Sequence, residues 1–270
     1  MKPYTRTIFV SAFALSLVVF LFPERDLGAQ GRGSDALLHD YTERPQWIGV
    51  GLGYGFWQNE ADFGITDRDL PCAFFTDGDG SGIVAEIKSI MYPFQNRWFI
   101  VSPRIRYEAR SGTFISPLAG EPVKGENNET VILEQEAQVD ATLGTLSFDL
   151  MVGVEFFQTG VYLMGGGSAG LLTGGKYDYT ERLLSPAGFV FAGSGTNEQQ
   201  LLGGSKFENF GTSVFDARGA LGYIHEIGDW WAVNVEAVYS HPLTSALEDP
   251  ELLKQQGFMG TVSVLYNFGD

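Results

Sequence analysis

Few residues in this chain have the types and spacing that catalysis requires. The three histidines are His39, His225 and His241, and His241 lies beside a hydroxyl, Ser240, and close in sequence to a carboxylate, Glu248. A His–Ser–carboxylate set activates a nucleophile when the three groups lie within hydrogen-bond reach. The sequence favours an ordinary surface histidine here, and a lipid-modifying site is the lesser alternative.

An acidic string has the alternating oxygen donors that open a calcium loop. These donors are Asp77, Asp79 and Ser81, and Gly82 follows as the sixth residue. A complete loop ends with a bidentate glutamate at its twelfth position, where this chain has Lys88. We therefore expect an acidic loop that enters a strand, with these three donors as weak metal candidates and with no cofactor.

A third group of residues carries charge at alternate positions of otherwise apolar segments. Its members are Glu86, Lys88, Arg104, Arg106, Glu108, Asp149, Glu155, Asp216, Arg218 and Glu236. Charges that face a low-dielectric interior must be paired or solvated. Because both signs occur on neighbouring segments, the sequence predicts salt bridges that plug the interior. A narrow path for small solutes, dependent on Arg104 and Arg106, is the alternative.

The elements that must position these charges are β-strands. In 46–58, apolar side chains alternate with glycines from Gly49 to Gly55, and a period of two is the signature of a strand. The same analysis predicts eight strands, at 46–58, 81–92, 98–110, 130–157, 161–172, 213–225, 230–240 and 257–268.

The fourth of these strands changes its pattern part of the way along. Its apolar residues occupy odd positions up to Leu143 and even positions from Leu146 onwards. Such a change of parity predicts a β-bulge, which we place at Leu143–Leu146.

The connections alternate between short and long. The short ones are 93–97, 158–160 and 226–229, and the long ones are 59–80, 111–129, 173–212 and 241–256. In an antiparallel barrel of eight strands, this alternation puts all short turns at one end and all long loops at the other, as in bacterial outer-membrane barrels. The last strand agrees, because Phe258, Val262 and Tyr266 share one apolar face.

The N-terminus has the features of an export signal. Lys2 and Arg6 precede an apolar run over 8–22, and small residues follow at Gly28 and Ala29. The run is shorter than a spanning helix and is typical of a signal peptide. We therefore expect a signal peptide at 1–29, a flexible segment at 30–45 and an outer-membrane β-barrel at 46–270.

Composition and charge narrow the classes of partner. The chain has 35 glycines and abundant aromatic residues, and its formal charge is −16. A charge of this sign repels nucleic acid and anionic headgroups, so nucleic acid is excluded as a partner. Cys72 is the single cysteine, which rules out an internal disulfide.

Several short motifs resemble one family of membrane barrels. In chain order they are Leu70-Pro71-Cys72-Ala73-Phe74, Gly78-Asp79-Gly80-Ser81-Gly82, Val139-Asp140-Ala141-Thr142-Leu143 and Leu183-Leu184-Ser185-Pro186-Ala187. Over 47–268 the chain resembles eight-stranded barrels of the outer-membrane-protein-A type, in the variety found in Bacteroidota and Chlorobi-like bacteria. Such barrels often have paired cysteines and a peptidoglycan-binding domain, and neither is expected here.

The resemblance and the patterns together imply a structural or interaction role. The expected fold is an all-β, eight-stranded, antiparallel, up-and-down transmembrane barrel in the bacterial outer membrane, with long extracellular loops. Its expected partners are outer-membrane lipid, periplasmic chaperones and the barrel-assembly machinery during biogenesis. Because long loops carry binding, an extracellular ligand is expected at loops 59–80, 111–129 and 173–212. No enzymatic activity is expected.

Overall fold

A computed structural model describes residues 45–65, 73–93, 98–124, 129–156, 159–185, 188–191, 194–207, 210–248 and 251–268. The signal peptide expected at 1–29 and nearly all of the segment expected at 30–45 lie outside these residues, as does Cys72. The strands are β1 (Trp47–Ile65), β2 (Ala73–Ile90), β3 (Phe99–Lys124), β4 (Thr130–Glu155), β5 (Val161–Ser185), β6 (Glu198–Lys206), β7 (Ser213–Ile227), β8 (Trp231–Pro242) and β9 (Leu252–Asn267).

Eight of the strands close into a ring. Each of them pairs antiparallel with its neighbours in the order β1, β2, β3, β4, β5, β7, β8, β9, and β9 returns to β1. β6 stands outside the ring and pairs with the upper part of β5. The expected eight-stranded up-and-down barrel is thus confirmed, with β6 as an addition that the sequence did not predict. No helix in the described residues is long and apolar enough to cross a membrane.

The outer face of the barrel is apolar over the half nearer the short turns, which we call the lower half. On β1, for example, Ile48, Val50 and Leu52 face outwards and are 45%, 62% and 72% exposed. Aromatic side chains gather at the two borders of this region, with Trp230 stacked on Tyr266 at the short-turn end. An apolar band between aromatic borders is the exterior of a transmembrane barrel. We call this region the spanning belt.

The strands continue well beyond the spanning belt. β3 and β4 remain paired up to Lys124 and Thr130, and β5 continues to Ser185. The predicted loops 59–80, 111–129 and 173–212 are therefore largely wrong, because more than half of each is strand. Loop 241–256 is shorter than predicted, because β8 ends at Pro242 and β9 begins at Leu252. The period-two pattern is weaker in these segments, since polar side chains now face outwards and glycines interrupt them. The long-connection end of the barrel is a projecting β-structure, which we call the cap.

The change of pattern in β4 has a different cause from the one predicted. Odd-numbered residues of β4 face inwards on both sides of Gly144, so the strand has no change of facing. Below Gly144 the outward residues are apolar, and above it the inward residues are apolar. The strand leaves lipid for water at this level, and its apolar side moves from the outer face to the inner face.

The register does shift at this level, but the extra residue is on β5. Gly144 pairs with Gly174 and Thr145 with Leu172, which leaves Thr173 as the unpaired residue. The predicted bulge at Leu143–Leu146 of β4 is therefore wrong in its strand. The glycines of β5 hid the change of facing, because they give no apolar or polar signal.

Two apolar clusters lie inside the barrel, one at each end. The cap contains the first, which includes Phe63, Phe75, Phe114, Val139 and Tyr179. The second lies lower in the barrel; its members are Trp47, Trp57, Val84, Ile90, Tyr92, Ile100, Met151, Tyr162, Met164, Ala220, Ile224, Ala232, Val238, Met259 and Leu265. The charged residues occupy the interior between and among these side chains, in the spanning belt.

Candidate functional site: a charge-balanced lumen

The lumen of the spanning belt is built from charged side chains on one side and small ones on the other. β2, β3, β4, β7 and β8 supply the charges, whereas β1 and β9 supply glycines, serine and threonine. A Cβ atom on Gly51 would lie 2.3 Å from Ser263 Oγ and 3.1 Å from Glu86 Cγ. The inward glycines of β1 therefore make the space that the long charged side chains fill.

Glu236 on β8 is the centre of the lower part of the network. It forms a two-pronged ion pair with the guanidinium of Arg104. The hydroxyl of Tyr162 donates to Glu236 at 2.5 Å and accepts from Asn234 at 2.8 Å. Lys88 Nζ lies 3.9 Å from the same carboxylate. Four strands thus meet at this one carboxylate.

Glu86 on β2 links the lower part to the upper part. One of its oxygens lies 2.8 Å from Lys88 Nζ, and the other accepts from Arg106 at 2.8 Å. Ser263 on β9 donates to Glu86 at 3.2 Å. Glu86 and Lys88 are two residues apart on one strand, so they share the inward face and pair directly.

Arg106 on β3 connects Glu86 to the upper carboxylates. Its Nη1 atom lies 3.2 Å from Asp149 and 3.8 Å from Glu108. Arg218 on β7 also pairs with both of these carboxylates, at 2.8 Å and 2.9 Å. Both carboxylates are thus shared by Arg106 and Arg218, which fixes the spacing of three strands across the lumen.

Arg110 and Asp216 form the upper end of the network. Arg110 donates to Glu108 on its own strand and lies 3.6 Å from Asp216, which also accepts from Arg218 at 3.2 Å. The guanidinium of Arg110 is stacked on the ring of Trp57.

The network is electrically neutral and continuous. It contains five cations (Lys88, Arg104, Arg106, Arg110 and Arg218) and five anions (Glu86, Glu108, Asp149, Asp216 and Glu236). Each of these residues is at most 5% exposed. Breaking a buried pair by removing one partner costs about 3–5 kcal/mol, so the members hold one another in place. We call this set the ionic ladder.

The lumen is filled above and below the ionic ladder as well. Near the short turns, Glu155 accepts from the hydroxyl of Tyr92 at 2.9 Å and from the amide of Gly160 at 3.1 Å. Above the ladder, a small cavity lies between Arg110, Asp216 and the cap, with room for about one water molecule. Ion pairs and hydrogen bonds therefore span the lumen, and the side chains that form them leave little open space.

The structure places all ten of the charged residues predicted from sequence inside the barrel. Nine of them belong to the ionic ladder, and Glu155 lies apart from them near the short turns. Sequence reasoning missed Arg110, although it shares the even-numbered inward face of β3 with Arg104, Arg106 and Glu108. The same parity rule, continued by two residues, would have found it.

The weak metal candidates are placed differently from the prediction. Asp77, Asp79 and Ser81 lie within β2 rather than in a loop, and both aspartates are exposed. Within the described residues, no three His, Cys, Asp or Glu side chains form a group that could hold a metal ion.

The histidine set is not brought together. Ser240 is fully buried in the lumen, whereas His241, the next residue on β8, faces outwards. Neighbouring residues of a strand point to opposite faces, so Ser240 is not available to His241.

No protein-family model matches the chain, and no curated protein matches it. Among solved structures it is similar to Ail, the attachment invasion locus protein of Yersinia pestis, at 10% identity and a TM-score of 0.33, with 83% of this chain and 100% of that chain covered. It is also similar to the outer membrane protease OmpT from Escherichia coli, at 9% identity and a TM-score of 0.34, with 84% and 98% covered.

A third similar structure is the translocator domain of the autotransporter NalP from Neisseria meningitidis. The identity is 10% and the TM-score 0.32, with 98% of this chain and 100% of that chain covered. Likenesses at this level transfer no role to the chain. The architecture rests on the molecule itself, which has a closed antiparallel wall, an apolar outer belt and a charged interior. The chain is an outer-membrane β-barrel of a bacterium.

Proposed function

We propose that this protein is a closed, non-enzymatic barrel that anchors the cap at the cell surface, where the cap serves as a binding surface. The observation that carries the proposal is the ionic ladder, which fills the lumen with side chains at most 5% exposed. An eight-stranded barrel is just wide enough for side chains to fill it.

The pairing of charges in the ionic ladder favours a closed lumen over a channel for solutes. Each carboxylate of the ladder lies within 4 Å of a cation, so a passing ion would have to displace an existing partner. In a channel, binding must be weak enough for the ion to leave. The shared carboxylates Asp149, held by two guanidinium groups, and Glu108, held by three, argue against such exchange.

The outer surface of the cap supplies the binding role. Its outward face combines exposed apolar side chains, such as Phe74 and Ile132, with polar ones in contact, since Asp140 accepts from Thr113 at 2.6 Å and from Gln138 at 2.8 Å. Arg182 pairs with Glu198 at 2.6 Å. A sheet that projects above the membrane with both polar and apolar side chains on its outer face offers an extracellular partner a surface to bind. The binding surface proposed here is strand rather than the loops expected from sequence.

The proposed partners inside the envelope follow from the spanning belt. Outer-membrane lipid would cover the apolar exterior, and periplasmic chaperones with the barrel-assembly machinery would deliver the chain. The separation of Ser240 from His241 supports the proposal that the protein has no lipid-modifying activity.

The experiment is single-channel recording of the refolded protein in planar bilayers, beside a gel that compares heated and unheated samples. A gel shift without steady conductance is the expected result. Arg106→Ala is the informative variant, because it removes one ladder cation that contacts three carboxylates. If the lumen is plugged, the unmodified protein stays closed and Arg106→Ala gains conductance, because the variant removes one of the side chains that fill the lumen. If the unmodified protein conducts and Arg106→Ala loses conductance, the channel alternative is correct.

A further inference from the structure

The cap consists of two groups of strands with different neighbours. The upper ends of β9, β1 and β2 form one group. In it, Asp62 of β1 pairs with Leu252 of β9, and Ile65 of β1 pairs with Ala73 of β2. The upper ends of β3, β4 and β5 form the other, together with β6. We call them the first lobe and the second lobe.

One seam between the lobes has no backbone pairing. β2 and β3 are paired up to Gly78 and Phe114. Above these residues, in the described part of the chain, no backbone hydrogen bond joins 73–77 to 115–124. Two strands that are neighbours in the spanning belt therefore separate in the cap.

The opposite seam is closed by the backbone. Gly211 donates to Ala246 at 2.9 Å, and Ala246 donates to Leu253 on β9 at 2.8 Å. Thr212 accepts from Leu172 on β5 at 3.0 Å. These bonds form a continuous backbone link from the second lobe to the first through 210–212 and 245–247.

Across the cap interior, the lobes touch through aromatic side chains. The ring of Phe63, in the first lobe, lies 5.3 Å from Phe114, the uppermost residue of β3 that pairs with β2, and 5.7 Å from Phe207, which directly follows β6 of the second lobe. Phe75, beside it in the first lobe, stacks on Phe63 at 5.3 Å. Aromatic pairs at these distances attract each other in addition to the gain from burying their area. Phe63 is thus a central member of the buried cluster that joins the two lobes where no described backbone bond does.

We propose that the two lobes of the cap can separate at the seam between β2 and β3 while 210–212 and 245–247 act as a hinge. Phe63 is the latch that keeps the lobes together, and we call the whole arrangement the clasp. Opening requires only side-chain contacts to separate, because no described backbone bond crosses the seam. The ionic ladder lies below the clasp and shares none of its residues. The clasp therefore opens without opening the lumen.

Hydrogen exchange read by mass spectrometry, on the refolded full barrel in detergent, tests the clasp. In Phe63→Ala, exchange in 73–77 and 115–124 accelerates by at least about tenfold, since the change removes a buried ring from the contact between the lobes. Exchange in 210–212 and 245–247 and in the spanning belt stays as in the unmodified protein. Phe148→Ala is the matched control, because Phe148 faces lipid on β4 and lies outside the latch.

Two further variants guard against a failure of Phe63→Ala to fold. Phe63→Leu is milder, and Phe75→Ala removes the ring that stacks on Phe63, so both accelerate the same two segments. Equal acceleration on the hinge side, or no acceleration in any folded latch variant, overturns the clasp. Conductance gained by a latch variant also overturns it. Conductance of the unmodified protein would instead overturn the proposed function and leave the exchange asymmetry to decide the clasp.

Discussion

The guanidinium carbon of Arg110 lies 4.1 Å from the centre of the Trp57 ring. Trp57 is 2% exposed, and the pair stands where the ionic ladder meets the cap. A desolvated cation over an aromatic face gains about 2 kcal/mol. This contact holds the uppermost cation of the ladder in place while its charges reach Glu108 and Asp216.

Replacing Trp57 separates the aromatic contribution from simple filling of space. Trp57→Leu should lower the free energy of unfolding by about 3 kcal/mol or more, because it removes both packing and the cation–π contact. Trp57→Phe keeps an aromatic face and should cost less. Urea unfolding followed by circular dichroism measures both, with the exposed Trp231→Phe as the control. Equal costs for the two variants would argue against a cation–π contribution.

The ladder predicts strong coupling between its members. Arg106→Met should destabilise the barrel by about 3–5 kcal/mol, since it leaves Glu86 and Asp149 short of a partner. Adding Glu86→Gln to the same chain should recover part of that loss. A double-mutant cycle from urea unfolding measures the coupling, and purely additive effects would mean that the two side chains act independently.

A matched pair on β3 tests where the membrane ends. Ile105 and Ile115 both face outwards and are both 53% exposed, but only Ile105 lies in the spanning belt. Ile105→Arg should cost about 2–4 kcal/mol as a charge placed in hydrocarbon, whereas Ile115→Arg should be almost neutral. Refolding into lipid vesicles with urea titration gives both values. A comparable cost at the two positions would place Ile115 in lipid as well.

The inward glycines predict a steric test of the lumen. Gly51→Ala would put a Cβ atom 2.3 Å from Ser263 Oγ, so we expect a loss of about 1–3 kcal/mol from overpacking. Gly165→Ala on β5 is the control, because its nearest atom would be Arg218 O at 3.9 Å. If thermal midpoints fall equally in both variants, backbone freedom rather than space is the cause.

A buried carboxyl in the cap makes its stability depend on pH. Burial raises the pKa of Glu181, the nearby charge of Glu121 adds to the rise, and the Tyr179 hydroxyl, 3.4 Å away, opposes it. A carboxyl with a raised pKa binds more protons in the folded state. Its contribution is therefore fully present below the ordinary value of 4.5 and is lost as the pH rises through the folded pKa.

Glu181→Gln should consequently stabilise the cap at neutral pH and flatten this dependence. Resistance of the cap to limited proteolysis at about pH 5 and about pH 8 measures it. Glu134→Gln, on the exposed outer face of β4, is the control. A cap that becomes more resistant as the pH rises would contradict the sign argued here.

The alternation of apolar and polar residues was enough to predict which side chains face inwards in the spanning belt, but it failed in the cap. Alternation placed Arg104 and Glu236 in the lumen because lipid demands an apolar outer face, so the polar face had to be inward. In the cap the outer medium is water and the rule reverses, which is why β4 seemed to change facing at Leu143. A period of two identifies two faces but does not say which solvent each meets.

The partners within the ladder could not be predicted from sequence either. Glu86 and Arg106 are opposite each other in the register of β2 and β3, which strand neighbours could suggest. Arg104 and Glu236 are on strands that share no edge, and they meet only because the wall closes and the lumen is narrow. Such contacts depend on curvature, which no local pattern carries.

The exchange of apolar and polar faces at Gly144 also fixes the depth of the molecule in the bilayer. Sliding outwards by two residues keeps every side chain on its own face but lifts Leu146 into water. Sliding inwards by two draws Thr142 into hydrocarbon. Both displacements are uphill, because apolar area loses burial in the first and polar groups lose hydration in the second. The cap is therefore held at a fixed height above the membrane, whether or not a partner is bound.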